Sequence, residues 1–367
     1  MLINKIEVWD FETPFRDGPY NMSHVSQEAI YGQILCLHTE QGISGLGEIV
    51  PAPSLAAEER LARYAQESTF LPALVGQSEE TLAEFIKQIQ TKDKSWRGIA
   101  FGLETAYLDL LARKQDMPFA DMLGGALNNS IEDYFSISEN HKDSISKRIS
   151  AAGPDRKVIQ LKVGVHPLEH DLELIPAALD LMSNSQTLLV DANGGWSFEQ
   201  ASQAINSVED PRLIWEEPCS LYEENRKLVQ GLGARILLNG QTSTDLDVAM
   251  QAVNDRTAAG ICIKPALIGG LSIAREIRDL CVKVGMKMRI DGPWCGDIAC
   301  TAILNLALGT KPDLLIAGCD LREPLIIDPD LKGLTNPRPS QIAPASSFGF
   351  RIDWVRKQLG PATHTYV

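Results

Sequence analysis

The run Thr187-Leu188-Leu189-Val190-Asp191-Ala192-Asn193 decides how this chain reads: four strand-forming residues, then an acid, then an amide. A second apolar run, Leu213-Ile214-Trp215, ends in Glu216, 25 residues after Asp191. A third, Ile236-Leu237-Leu238, precedes Gln241, a further 25 residues on. Upstream, Val158-Ile159-Gln160-Leu161 leads to Lys162, and downstream Gly260-Ile261-Cys262-Ile263 leads to Lys264. Five strand-like runs at near-regular spacing thus each end in a polar group. An α/β barrel presents a site in this way, each strand delivering one side chain at its C-terminal end to a common mouth.

Strand candidates extend the rhythm on both sides: 131–138, 158–163, 187–191, 213–217, 236–241, 260–264, 286–291 and 314–319. Helical stretches at 167–182, 197–207, 221–231, 244–254, 270–284 and 297–308 lie between them. Eight strands alternating with helices mean a closed barrel or a large open sheet. The repeat length, with no G-x-G-x-x-G after a strand, favours the barrel. Before it, residues 1–50 read as a small antiparallel sheet with strands at 2–11, 29–40 and 42–48. A turn-rich loop, Arg16 to Ser23, interrupts that sheet and is read as decoration or a lid. Helical periodicity follows at 56–68, 79–91 and 96–115; in the last, Ile99, Leu103, Ala106, Tyr107, Leu110 and Leu111 share a face. The division expected is a capping domain over 1–125, a barrel over 126–321 and a tail over 322–367. The tail, which contains the strand-like piece Phe348–Ile352, is expected to return to the first sheet.

Composition narrows the functional classes. A net charge of −14 argues against a nucleic-acid surface, which needs clustered Lys and Arg. Seven cysteines, several in apolar runs and none in a C-x-x-C pair, read as reduced core thiols of a cytoplasmic protein. The alternating N-terminus, Met1 to Val8, does not have the pattern of a signal peptide, and no run approaches the length of a membrane span.

Asp191 and Glu216 at adjacent strand ends would suit a hard divalent cation such as Mg²⁺, which takes oxygen ligands and leaves room for a substrate oxygen. Taken singly, each reads equally well as a solvated strand-end acid. Gln160 and Lys162 are two apart on one strand and point to the same side. Desolvation and a nearby cation would both lower the Lys162 pKa, fitting it to accept a proton. Lys264 would sit across the mouth, and two lysines on opposite faces of one carbon can remove a proton from one side and return it on the other. Each alone also reads as a surface lysine. Asn193 would orient a ligand from behind. Trp294, after the seventh strand, would face a cationic substrate or simply pack. His24, His38, His166 and His170 show no ligand spacing.

These residues resemble the mandelate racemase/muconate lactonizing branch of the enolase superfamily. Gly45-Leu46-Gly47-Glu48, the helix Leu103–Leu111, Leu123-Gly124-Gly125 and the barrel positions carry the resemblance over nearly the whole chain. It implies a (β/α)7β modified barrel under an α+β cap, with Mg²⁺ held by Asp191, Glu216 and the segment Asn239-Gly240-Gln241-Thr242. It also implies Lys162 and Lys264 as the acid/base pair that abstracts a proton α to a carboxylate. Where the family carries a strand-5 carboxylate, the matching dipeptide here is Gly240-Gln241; Gln241 is read first as the ligand, then Asn239 or water. Short loops around Tyr20, Gln160-x-Lys162 and Asp291…Trp294 look most like proline-betaine and hydroxyproline-betaine epimerases, with cis-3-hydroxyproline dehydratases next. Tyr20, Met22, Asp291 and Trp294 then become substrate contacts. The expected function is a Mg²⁺-dependent epimerase of a small carboxylate in a homo-oligomer. A dehydratase, a cycloisomerase or a binding relic are the alternatives.

Overall fold

The computed structural model describes residues 1–22, 25–50, 69–92, 94–139, 141–326, 335–338, 341–344 and 350–367. The helix expected over 56–68 lies outside them.

The first sheet is antiparallel. Strands β1 (Ile3–Pro14), β4 (Ala29–Thr39) and β5 (Ser44–Ile49) pair in that order, and the hairpin β2 (Tyr20–Met22) and β3 (Val25–Gln27) sits in the connecting loop. The last strand of the chain, His364–Tyr366, joins the free edge of β1, with Ile6 opposite Tyr366. The tail therefore reaches the first sheet through its final residues. Ile352–Leu359, where the strand-like piece ends, is helical.

Helix α1 (Glu79–Gln90) and helix α2 (Arg97–Gln115) cover this sheet. Helix α2 is buried on more than the single face its periodicity suggested: Ala100, Phe101 and Glu104 are as enclosed as Ile99 and Leu103. A helix apolar around most of its girth belongs between layers, and this one lies between the sheet and the barrel. Gly45 and Gly47 make that contact possible. A Cβ on either would stand about 2 Å from a carbonyl of α2, that of Ala106 or Gly102. The buried Asp109 of α2 accepts from Leu46 N and Phe350 N, at 2.9 and 3.0 Å, and so ties strand β5 and the tail to one helix.

The barrel strands run parallel and pair in chain order. They follow the short strand β6 (Ile131–Glu132) and are β7 (Tyr134–Ile137), β8 (Val158–Lys162), β9 (Thr187–Asp191), β10 (Leu213–Glu216), β11 (Ile236–Leu238), β12 (Gly260–Ile263) and β13 (Met288–Ile290). The eighth segment makes only two parallel bridges, Leu315 with Met288 and Gly318 with Asp133, but these close the sheet between its last and first strands. Strand interiors such as Leu188, Leu189, Leu237 and Ile261 are wholly buried, as expected for parallel strands covered by helices. All seven cysteines are buried and unpaired. Among the described residues, no helix is long and apolar enough to cross a membrane.

Candidate active site

Register assembles the site. Lys162 stands opposite Asp191, and Asp191 opposite Glu216, so three neighbouring strands deliver their last side chains at one level. Lys162 Nζ donates to Asp191 Oδ2 at 2.6 Å and to Asn193 Oδ1 at 3.1 Å. The Gln160 amide donates to both acids, to Asp191 at 3.0 Å and Glu216 at 2.8 Å, and its oxygen accepts from Ser136. Asn193 donates to Asp191 from its backbone and from its side chain. The backbone is strained here: Asn193 and Glu217, each just past a strand end, have φ of +47° and +42°. Non-glycine residues in the left-handed region cluster at functional sites.

Three residues that the strand-end spacing did not single out complete the centre. Arg289, the middle residue of β13, reaches across the barrel with both terminal nitrogens on Glu216, Nη1 donating to Oε2 at 2.6 Å and Nη2 to Oε1. Its Nε lies 3.1 Å from Asp291, and its guanidinium sits 4.8 Å above the Tyr134 ring. Asn239 donates from Nδ2 to Glu216 Oε1 at 2.8 Å and accepts from the Ser243 hydroxyl. Glu217, on the other side of the strand end, accepts from Asn239 N at 2.6 Å.

Gln241 is not brought to the acids. Its side-chain oxygen accepts from Tyr222 N at 2.7 Å, at the start of the helix Tyr222–Leu232. Strand β11 ends at Leu238, so Asn239 holds the strand-end position and Gln241 falls in the following turn of 3₁₀ helix. Position 240 is tight for a larger residue, because a Cβ there would lie 2.3 Å from Glu217 Oε1 and that side chain would have to shift. Asp291 is turned inward to Arg289, the Tyr134 hydroxyl and the Cys262 thiol, and only 1% of its surface is exposed.

Electrostatics differ from expectation at Lys162. Burial works to lower its pKa, but Asp191, Tyr20 and Glu216 together outweigh burial and hold it above the usual lysine value. Burial works in the same way to raise Glu216, and Arg289 overrides it, keeping that carboxyl ionised. Burial pushes Glu217 up to about 8.

A chamber of about 70 Å³ opens above the acids, lined by Lys162, Lys264, Asn193, Tyr134, Trp294 and Tyr20 among others. A larger cavity of about 620 Å³ shares Lys162, Tyr20 and Trp294 as walls and extends past Ser136, Arg148 and His166. Tyr20 packs edge-on against Trp294 with ring centroids 5.2 Å apart and bonds Ser136 through its hydroxyl. The first-sheet hairpin thus contributes a wall to the barrel's site. The side chain of Met22, in the same hairpin, is outside the described residues, as are residues 51–68.

This geometry defines a capped α/β barrel with two lysines and two buried acids converging at the strand ends. The Mandelate racemase / muconate lactonizing enzyme, N-terminal domain model matches residues 5–124, and the Enolase C-terminal domain-like model matches residues 142–341. The chain belongs to the mandelate racemase/muconate lactonizing enzyme family, and it is an enolase-superfamily enzyme. It is 27% identical over 330 residues, 87% of this chain and 88% of the relative, to the cis-3-hydroxy-L-proline dehydratase of Roseibium aggregatum. A member of the enolase superfamily from Roseovarius nubinhibens ISM, crystallised with magnesium, has a TM-score of 0.87 at 24% identity, covering 100% of this chain and 99% of the other. The substrate-liganded L-Ala-D/L-Glu epimerase of Bacillus subtilis has a TM-score of 0.81 at 21% identity, covering 94% and 96%.

Magnesium in a family member agrees with the expectation drawn from the two acids. The donors of this chain, as they stand, do not fit that ion. Among the described residues no three His, Cys, Asp or Glu side chains converge where they could hold a metal. The strand-5 group facing Glu216 is an amide nitrogen, and both oxygens of Glu216 are already occupied by donors.

Proposed function

We propose that the chain removes the proton α to the carboxylate of a small cyclic amino acid and expels a hydroxyl from the neighbouring carbon, a dehydration. The observation that carries this reading is the placing of Lys162 and Lys264 on one chamber from the second and sixth barrel strands, half a barrel apart. In cis-3-hydroxyproline the α-hydrogen and the hydroxyl lie on opposite faces of the ring. One lysine takes the α-proton; the Cα–H electron pair forms the Cα–Cβ double bond as the Cβ–O bond breaks. The second lysine gives the departing oxygen its proton, and water leaves. Negative charge gathering on the substrate's carboxylate is met by a chamber whose walls carry Lys162, Lys264 and Arg289. The likeness to a hydroxyproline dehydratase over most of both chains supports this choice of leaving group.

Epimerization of a carboxylate with nitrogen on its α-carbon, including proline betaine, is the second reading. It is favoured by the same lysine pair, since the lysine opposite the base can reprotonate the carbon instead. Trp294 and Tyr20 would then offer aromatic faces to a quaternary ammonium.

Incubation with cis-3-hydroxyproline, 4-hydroxyproline betaine and proline betaine in D₂O, followed by proton NMR, separates them. Dehydration predicts loss of both the α- and β-proton pattern of cis-3-hydroxyproline. A new diastereomer carrying deuterium at Cα would move the assignment to epimerase, and absence of α-exchange on all three would refute both.

A further inference from the structure

Glu216 is saturated. A carboxylate offers about four lone-pair sites, and here four donors fill them: two nitrogens of Arg289, the Gln160 amide and the Asn239 amide. The neighbouring Asp191 accepts from Lys162, Gln160 and Asn193, the last both from backbone and side chain. A divalent cation would have to displace several of these at once.

Both amides present nitrogen, not oxygen, to the acids. A carboxylate can only accept, so Asn239 presents its NH₂ group to Glu216; its oxygen lies 3.0 Å from the Ser243 hydroxyl, whose single proton is shared with the Cys262 carbonyl at 2.9 Å. Gln160 is fixed in the same sense, its oxygen taken by Ser136 at 2.9 Å.

Arg289 has no other place to go. It is 1% exposed, and its position on β13, two residues before Asp291 just past the strand end, aims both at the barrel interior. An ion bound to Glu216 would stand beside this guanidinium, with two like charges enclosed and Glu216 divided between them. Three of the acids are already paired with cations: Asp191 with Lys162, and Glu216 and Asp291 with Arg289. Buried acids that are already paired and hydrogen-bonded gain little from two further positive charges.

We propose that Arg289, with Asn239 in support, is a built-in cation that holds the acids of this site in place of a divalent metal, so that the chain works without Mg²⁺. This goes beyond the assignment of the reaction. It concerns how the site is neutralised, whichever amino acid enters it.

The test is a titration of chelator-treated protein with Mn²⁺, read by the EPR signal of the free ion, with Mg²⁺ as competitor. The unaltered protein is expected to leave the Mn²⁺ signal undiminished through the low millimolar range, and its Tm should not respond to Mg²⁺ or to chelator. The double variant Arg289→Met/Asn239→Asp, which frees Glu216 and restores a third carboxylate, should gain affinity by about 10- to 100-fold or more. Saturable binding by the unaltered protein, displaced by Mg²⁺ and accompanied by a rise in Tm, would overturn the proposal whether or not the variant folds. These readings involve no turnover, so failure of the reaction assignment would leave them intact.

Discussion

Glu48 is a helix cap supplied from another part of the fold, and its removal has a calculable pH signature. The residue ends the Gly45-Leu46-Gly47-Glu48 motif on strand β5. Its carboxyl accepts from Gly296 N at 2.6 Å and Ala299 N at 2.9 Å, at the start of the barrel helix Asp297–Leu308, which makes no side-chain cap of its own. Two influences compete. Burial of a side chain only 1% exposed disfavours the anion; backbone N–H groups and the helix N-terminus favour it. Burial wins, pushing the carboxyl from 4.5 up to about 7. Between those two pH values the native protein holds a proton that the unfolded chain has released, so stability falls as pH rises. At 1.36 kcal/mol per pH unit the loss is about 3 kcal/mol, complete above the folded-state value and absent below the unfolded one. The buried Asp133 and Asp297, also raised by burial, slope in the same direction, so the informative quantity is a difference. Urea unfolding of the natural protein and of Glu48→Gln at pH 4.5 and pH 8 should show the variant's pH dependence flatter by about 3 kcal/mol. A natural protein that gains stability relative to Glu48→Gln as pH rises would refute the reasoning. The helix terminus would then hold Glu48 ionised against its burial.

Other consequences are more local. Lys162→Ala and Lys264→Ala should each lower turnover by between about a hundredfold and ten-thousandfold, the usual worth of a positioned acid or base, with the fold intact by circular dichroism. Gly240→Ala places a Cβ 2.3 Å from Glu217 Oε1 at a φ of +36° and should lower stability by about 1–3 kcal/mol in urea unfolding. Asp109→Ala strands Leu46 N and Phe350 N, at about 1–3 kcal/mol for each buried donor left unmatched. Proteolysis of this variant should begin in the tail, whose anchor to helix α2 it removes.

Much of the barrel was legible because parallel strands buried on both faces write themselves as apolar runs, and the polar residue ending each run marks the mouth. Asp191, Glu216, Lys162 and Lys264 were visible in that way. Spacing misdirects at strand 5. A regular interval points to Gln241, but β11 ends early at Leu238, so Asn239 takes the strand-end place and Gln241 turns to Tyr222. Arg289 was hidden for a different reason. Its partner Glu216 is 73 residues away, three strands across the barrel, and nothing local to Met288-Arg289-Ile290 names it. The available signal was a lone arginine inside a short apolar strand, a charge that burial permits only with a counter-charge. The Lys162 pKa is raised where desolvation and a nearby cation would lower it, because an acid stands 2.6 Å away. In the tail, the apolar spacing of Phe348–Ile352 resembles a strand. Its end, Ile352, begins an amphipathic helix instead, and the returning strand is the short polar His364–Tyr366.

Solvent deuterium exchange with single-lysine variants tests the central claim most directly. Each stereoisomer at Cα presents its proton to only one of the two lysines. With matched isomers of one substrate in D₂O, Lys162→Ala should abolish α-exchange of one isomer and Lys264→Ala that of the other, while each variant keeps exchange where its remaining lysine faces the proton. Equal exchange of both isomers by both variants, at the rate of the natural protein, would contradict the account and place the base elsewhere in the chamber.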